Sequence, residues 1–260
     1  MGDPNQLAFI SGLISKLDGP FLEVGSRDYG STQNLRPLFF GKGDYVGVDL
    51  FDGPGVDCVV DLTSDFARID KALEGERFGT IFCLSVLEHC AQPFRMAENL
   101  TRLLKPGGTL CISAPFAWKY HGYPSDYWRF THEGIKVLFP QIQFDAADCC
   151  SSTSCPGEFQ PIGEDLGKRS LSGKTHRGTG HPWRGFTASA LRLLGKLGPL
   201  AWITRYRYLL APTNVFMLGQ CIEAKSFRDQ PSENPGLQPA HHQGDLENTA
   251  EDSVFSAIGK

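Results

Sequence analysis

No apolar run in this chain of 260 residues is long enough to cross a bilayer. Its first residues, Met1-Gly2-Asp3-Pro4-Asn5-Gln6, hold no basic cluster ahead of an apolar stretch, so they do not read as a secretory signal. Gln6 stands where a myristoylation motif needs Ser or Thr. No Cys-x-x-Cys pair occurs among the cysteines at 58, 83, 90, 111, 149, 150, 155 and 221, which argues against a structural zinc site, and no metal ligands are expected. Cys58, Cys83, Cys111 and Cys221 fall inside expected strands, where a free thiol behaves as a small apolar side chain. The Cys149-Cys150-Cys155 group reads as a strand end and a loop. A reducing, cytoplasmic setting fits this usage. Internal repeats are absent. So is any recognisable nucleic-acid-binding module, and with a net charge of −4 nucleic acid is not an expected partner.

Acids are missing from Leu166 through Ile222. That stretch holds Lys168, Arg169, Lys174, Arg177, Arg184, Arg192, Lys196, Arg205 and Arg207, which leaves the rest of the chain strongly acidic. An asymmetry of this kind attracts anions. The stretch lies in an expected insertion at about 150–213. Its first half is rich in Gly, Ser and Thr and reads as a loop; Phe186 to Leu210 reads as helix with a break at Gly198-Pro199. From 225 to 260 the chain turns polar and proline-bearing and reads as a disordered tail.

What remains, 1–224, reads as one α/β domain, and 41% hydrophobic residues suffice for its core. Leu7, Ile10, Leu13, Ile14 and Leu17 share a helical face that Asp18-Gly19-Pro20 ends. Strands are expected at Phe21–Val24, Tyr45–Asp49, Asp57–Leu62, Gly79–Leu84 and Thr109–Ala114. Helices are expected between them at Thr32–Phe40, Phe66–Leu73 and Pro93–Lys105. Thr131 is placed to cap a helix through Phe139. Such alternation predicts a mostly parallel sheet covered on both faces. Phe144–Cys149 and Asn214–Glu223 would close it as a hairpin around the insertion, giving a doubly wound sheet of seven strands with an antiparallel last strand.

Ligands of such sheets bind at the strand ends, and the first two strands carry the chemistry. Glu23-Val24-Gly25-Ser26-Arg27-Asp28-Tyr29-Gly30 ends one strand in an acid and a glycine loop; Asp49 ends the next. Gly25 and Gly30 let a ligand approach the backbone, the following helix would turn its N-terminus to a carboxylate, and Asp49 suits ribose hydroxyls. Arg27 replaces the middle glycine through which dinucleotide binders meet a pyrophosphate, which weighs against a NAD-dependent oxidoreductase. Glu23 suits a cationic tail. The pattern points to a nucleoside bearing a charged amino acid.

The segments together resemble the class I S-adenosylmethionine-dependent methyltransferases of the type-11-like group, over about Phe21 to Phe116. The resemblance implies S-adenosyl-L-methionine as cofactor. It places the methionine moiety by Glu23, Gly25 and Ser26, the ribose by Asp49 and the adenine by Asp61 and Leu62, with Gly30 expected at the cofactor from the loop reading above. Cys83-Leu84-Ser85-Val86-Leu87-Glu88-His89 resembles the family's S-x-L-E-H signature, with Leu84 and Ser85 at the cofactor. Leu104-Lys105-Pro106-Gly107-Gly108 resembles its turn before strand five.

An acceptor would lie over the same edge, where His121-Gly122-Tyr123-Pro124-Ser125-Asp126-Tyr127-Trp128-Arg129-Phe130-Thr131 follows strand five. Transfer to a hydroxyl requires loss of its proton; His121 and His89 are candidate bases and Asp126 a candidate orienter. These groups have plain structural readings too: His89 as packing or capping, and Asp126 paired to Arg129. A carboxyl acceptor needs no base. The basic stretch suggests a small-molecule or glycoconjugate acceptor that is anionic or phosphate-bearing, O-methylation being the expected reaction, or peripheral contact with an anionic membrane. A non-catalytic cofactor-binding module of the same fold is the remaining alternative.

Overall fold

The computed structural model describes residues 4–30, 34–122, 124–153, 155–163, 166–170, 182–194 and 208–222. In chain order the elements are α1 (Pro4–Leu13), β1 (Phe21–Val24), β2 (Tyr45–Asp49), β3 (Cys58–Val59), α2 (Phe66–Ala72), β4 (Phe78–Leu84), α3 (Pro93–Leu103), β5 (Leu104–Ala117), α4 (His132–Leu138) and β6 (Ile142–Thr153). They continue with β7 (Phe159–Pro161), β8 (Lys168–Ser170), α5 (Pro182–Leu194), β9 (Tyr208–Leu210) and β10 (Thr213–Cys221).

The main sheet runs β3-β2-β1-β4-β5-β10-β6-β7. Strands β3 to β5 pair in parallel, and β10 lies antiparallel between β5 and β6. The expected seven strands are therefore present in a sheet of eight; Phe159–Pro161 adds an edge strand against Ser152 to Cys150. Alternate residues of each strand feed opposite faces. Leu22, Val24, Ile81, Cys83 and Ile112 join a core with Ile69, Leu100 and Ile135 from α2, α3 and α4. Phe21, Phe82, Cys111 and Phe216 join a second core with Phe9, Ile10 and Leu13 of α1. Both faces are thus covered, as a parallel sheet requires.

Several elements differ from the sequence reading. The helix expected at Thr32–Phe40 is, in its described part, a single 3-10 turn at Arg36–Phe39. Pro37 lacks an amide donor and disfavours the α conformation at Arg36. The third strand is only two residues long, because Asp61 Oδ1 accepts bonds from the Thr63 amide (2.8 Å) and hydroxyl (2.7 Å) and turns the chain. The helix of the insertion starts at Pro182, ahead of the expected Phe186, and is described to Leu194; Tyr208–Leu210, expected as its end, is instead strand β9, antiparallel to β8, and the first half expected as loop holds the short strands β7 and β8. The break at Gly198-Pro199, the Gly/Ser/Thr-rich 171–180 and the tail at 225–260 lie outside the described residues.

Strand β5 also starts at Leu104, five residues ahead of the expected Thr109, β6 outruns the expected Phe144–Cys149 at both ends, and α1 gives way to a 3-10 turn at Ile14–Lys16; two helix starts are as expected. Pro93 opens α3, whose Met96, Leu100 and Leu103 are buried. Thr131 caps α4, its hydroxyl accepting the Gly134 amide at 2.9 Å. The N-terminal helix is tied over the strand ends: Asn5 Nδ2 donates to the Thr153 carbonyl at 2.9 Å, and Gln6 Nε2 to Ser85 Oγ at 2.7 Å and Ser113 Oγ at 2.8 Å.

Close packing of β2 against the glycine loop is a requirement of this fold. A Cβ on Gly47 would stand 2.3 Å from the Gly55 carbonyl oxygen and 2.7 Å from Ser26 Oγ. Gly47→Ala is therefore expected to lower stability by roughly 1–3 kcal/mol, the usual cost of overpacking. Thermal unfolding of the variant measures this; an unchanged midpoint would mean that the loop sits further from β2.

Candidate functional site

A cavity of about 240 Å³ opens at the carboxyl ends of β1 and β4, lined by Glu23, Gly25, Ser26 and Leu84 together with Gln6 and Arg36. The loop after β1 builds one wall. Gly25 and Ser26 donate their amides to the Val48 carbonyl at 2.9 and 3.1 Å. Gly25 has a φ of +73°, and a Cβ there would meet Val86 Cγ2 at 2.7 Å. A side chain is excluded twice over, by conformation and by space.

Glu23 reaches into this cavity from the strand face that also carries Phe21 and Phe82. Burial pushes its pKa up to about 7, against the opposing effects of the Tyr45 hydroxyl, which donates to Oε2 at 2.7 Å, and of Arg36. Burial and then the neighbouring carboxylate raise the Tyr45 phenol, so it remains a donor. Arg36 pairs with Asp57, donates to the Gly55 carbonyl at 3.4 Å and lies 4.9 Å from the Tyr45 ring centre. Burial raises the Asp57 carboxyl, but the Arg36 bond and the Gly47 amide outweigh it and hold it below the ordinary range. Ser26 Oγ is buried with no hydrogen-bond partner. An unoccupied donor, a carboxylate and a guanidinium thus converge on one space. That set fits a ligand with an ammonium and a carboxylate.

The remaining residues expected at the cofactor do not line the cavity. Asp49 braces its rim: Oδ2 accepts the Arg27 amide at 3.3 Å and Oδ1 the Phe51 amide at 3.1 Å. Gly30 donates to Asp28 Oδ1 at 2.7 Å in the exposed part of the loop. Asp61 is occupied by Thr63, and Leu62 is buried in the core under α3, where Asn99 Nδ2 donates to its carbonyl at 2.8 Å. Ser85, with a φ of +54°, faces Gln6.

The acceptor-side candidates do come together. Glu88 and His89 lie on a 3-10 turn just beyond β4. The segment after β5 folds back on it, with the Tyr127 amide donating to the Glu88 carbonyl at 2.8 Å and the Trp128 indole to the Cys90 carbonyl at 2.8 Å. His89 Nδ1 is 2.6 Å from the Ser125 carbonyl. His121 Nδ1 is 3.2 Å from Asp126 Oδ2, and the ring centres of the two histidines are 5.1 Å apart. Asp126, its side chain closed off from solvent, also accepts the His121 amide at 2.8 Å and two Arg129 bonds at 2.5 and 2.7 Å. The Arg129 guanidinium holds the Asp126 carboxyl well below its ordinary range. Burial, chiefly, lowers His89.

Sequence reading missed Gln6 and Arg36, which reach the cavity from other segments, and Tyr45, which holds Glu23 from behind. It also missed Glu88, although that residue stands inside the quoted signature; an acid following apolar Val86-Leu87 at a strand end was the available signal. Glu88 is 1% exposed, and burial pushes its pKa up to about 8.

A family model described as a methyltransferase domain matches residues 5–144. No curated protein matches the chain. Among solved structures, the chain is similar to a SAM-dependent methyltransferase from Archaeoglobus fulgidus (14% identity, 82% of this chain and 94% of that one, TM-score 0.46). It is also similar to the 1,6-didemethyltoxoflavin-N1-methyltransferase of Burkholderia thailandensis (13%, 85% and 79%, TM-score 0.44). A third similar structure is the N-methyltransferase NodS of Bradyrhizobium japonicum (12%, 85% and 86%, TM-score 0.43).

Proposed function

The chain belongs to the methyltransferase-domain family, whose cofactor is S-adenosylmethionine, and from that premise we propose that it methylates an oxygen of a small, anionic or phosphate-bearing acceptor in the cytoplasm. S-adenosylmethionine supplies an electrophilic methyl group on a sulfonium. The chain's own part is to bind, align and remove a proton. Glu23 receives the ammonium and Arg36 the carboxylate of the amino-acid tail, with Ser26 Oγ as a further contact and Gly25 leaving room. Leu84 covers the apolar side. Asp49 takes the ribose from the rim, Gly30 and Ser85 keep the two loops in shape, and Asp61 with Leu62 bounds the adenine end.

The acceptor lies beside His89 and His121. The Lys119 carbonyl and the Asp126 carboxylate together take the Nδ1–H of His121 and turn its Nε2 to the acceptor hydroxyl, whose hydrogen that nitrogen receives. His89, fixed by the Ser125 carbonyl, completes the wall. The observation that carries the reading is the opposed pair in the cavity, a buried Glu23 and an Arg36, matched to the two ends of an amino acid. The acid-free basic stretch from Leu166 to Ile222 supports a phosphate-bearing or glycoconjugate acceptor. Trp183 and Phe186, exposed on α5 within that stretch, support peripheral contact with an anionic lipid surface as a second partner.

The test is transfer of labelled methyl from S-adenosylmethionine to a panel of hydroxylated phosphate esters and sugars, with the linkage identified as an ether. Label found only on nitrogen or carbon would overturn the oxygen assignment. Asp49→Ala is expected to weaken cofactor binding by about 1–3 kcal/mol through lost bonds to a charged group. Unchanged affinity in a binding titration would move the ribose contact to another residue.

A further inference from the structure

We propose that Glu88, His89 and His121 form a binding site for one divalent first-row transition cation beside the acceptor. The sequence reading assigned no metal ligands, because the three are brought together only when the segment after β5 folds back on the turn after β4. Glu88 Oε1 is 3.9 Å from His89 Nε2 and 4.0 Å from His121 Nε2. One ligand atom from each of the three residues lies within 4.8 Å of the others.

The hydrogen bonds fix what those atoms are. The Ser125 carbonyl, 2.6 Å from His89 Nδ1, can only accept, so that nitrogen carries the hydrogen and Nε2 keeps a lone pair. The Lys119 carbonyl does the same to His121 Nδ1 at 3.2 Å, with the Asp126 carboxylate, paired to Arg129, at an equal distance from that nitrogen. A carboxylate or carbonyl behind each ring is the usual support of a metal-ligating imidazole. Once Glu88 gives up the proton that its burial favours, three acceptors face one another with no donor among them. The second oxygen of Glu88 is buried with no partner, on a side chain 1% exposed. No hydrogen bond within the cluster reaches it, and a cation bound to the same carboxylate would offset the charge that burial leaves there. Bonds of about 2.1 Å would draw the ligand atoms together to roughly 3.4 Å, a closure of a few tenths of an ångström each.

The donor set selects the class. Two imidazoles disfavour magnesium and calcium, which take oxygen ligands. One carboxylate with no thiolate suits Zn²⁺, Mn²⁺, Fe²⁺ or Co²⁺, with positions left open. This inference rests on the acceptor placement above and deepens it. An open position would take the acceptor oxygen and lower its pKa, so that its proton leaves to solvent; with its Nε2 lone pair on the cation, His121 then serves as a ligand and not as the base.

The experiment uses the full chain, stripped with chelator and titrated with Co²⁺ and Zn²⁺. One equivalent is expected to bind, and the Co²⁺ spectrum is expected to show nitrogen–oxygen ligation without thiolate charge transfer. Glu88→Gln and His121→Asn should each weaken binding by about 100-fold, and Asp126→Asn by about 10-fold. Calorimetry with S-adenosylhomocysteine on the same samples separates the two readings: its binding should survive these substitutions. Retained cation affinity in the variants, thiolate bands from Co²⁺, or no binding by the wild-type chain would overturn the proposal. Because the wild-type spectrum alone reports the ligand type, a variant that fails to fold leaves the proposal open to refutation.

Discussion

Replacing His121 by Ala is expected to lower turnover by on the order of 10²–10⁴-fold while leaving S-adenosylhomocysteine affinity as it was. The size follows from the placement. His121 Nδ1 is 3.2 Å from both the Lys119 carbonyl and Asp126, and Asp126 is itself fixed by Arg129. In the reaction proposed above, Nε2 is then the atom that meets the acceptor, whether it takes the hydroxyl hydrogen or helps to hold a cation. Neither His121 nor Asp126 lines the cofactor cavity, so the loss belongs in kcat with the acceptor and not in the cofactor constant. Asp126→Asn should follow in the same direction with a smaller loss, since the ring keeps its place but loses the carboxylate behind it. Steady-state kinetics with either substrate varied decides it. Full turnover in His121→Ala would show that the acceptor needs neither base nor ligand at this position, as a carboxyl acceptor would not.

The second large effect is expected at Glu23. Glu23→Gln should weaken S-adenosylhomocysteine binding by about 1.5–3 kcal/mol, roughly 10- to 100-fold, the value of a hydrogen bond to a charged group. It should also change the pH dependence. Burial raises the Glu23 carboxyl to about 7 in the empty protein. Below that pH the group is protonated and neutral, and a cationic amine must displace the proton in order to bind. Affinity in the wild-type chain should therefore fall as pH drops through about 7, approaching tenfold per pH unit. The Gln variant should be weaker and flat over the same range. The folding linkage has the opposite sense. Glu23 binds its proton more tightly folded than unfolded, so its contribution to stability declines as pH rises from the ordinary carboxyl range to about 7. Calorimetric titrations between pH 5.5 and 8.5 test the binding half. An identical slope in wild type and variant would assign the proton to another group.

The parts of the fold that were legible in the sequence are those that local pattern controls. Phe21–Val24, Tyr45–Asp49 and Phe78–Leu84 are short apolar runs ended by an acid, a glycine or a polar turn, and both faces of each are buried or half-buried. Thr131 and Pro93 marked helix starts for reasons within four residues of each. At Thr32–Phe40 an α-helix would place Pro37 in its interior, where the missing amide and the restriction on Arg36 oppose it, and the described part is a 3-10 turn. The site divided along the same line. Glu23, Gly25, Ser26 and Leu84 are local to the strand ends and do line the cavity. Arg36 and Gln6 arrive from elements whose position depends on tertiary packing, through Asp57 for the first and the Ser85 and Ser113 hydroxyls for the second. The joining of His121 to Glu88 depends on a backbone bond from Tyr127 across 39 residues of chain, which no spacing rule announces.

Everything proposed for catalysis depends on the Glu23–Arg36 cavity being made for an adenosine that carries an amino acid. Isothermal titration of the purified full chain with S-adenosylhomocysteine, beside NAD⁺ as control, addresses that most directly. The account predicts one molecule of S-adenosylhomocysteine bound per chain and no heat from NAD⁺. Silence toward S-adenosylhomocysteine at millimolar concentration, or saturable binding of NAD⁺ in its place, would contradict it.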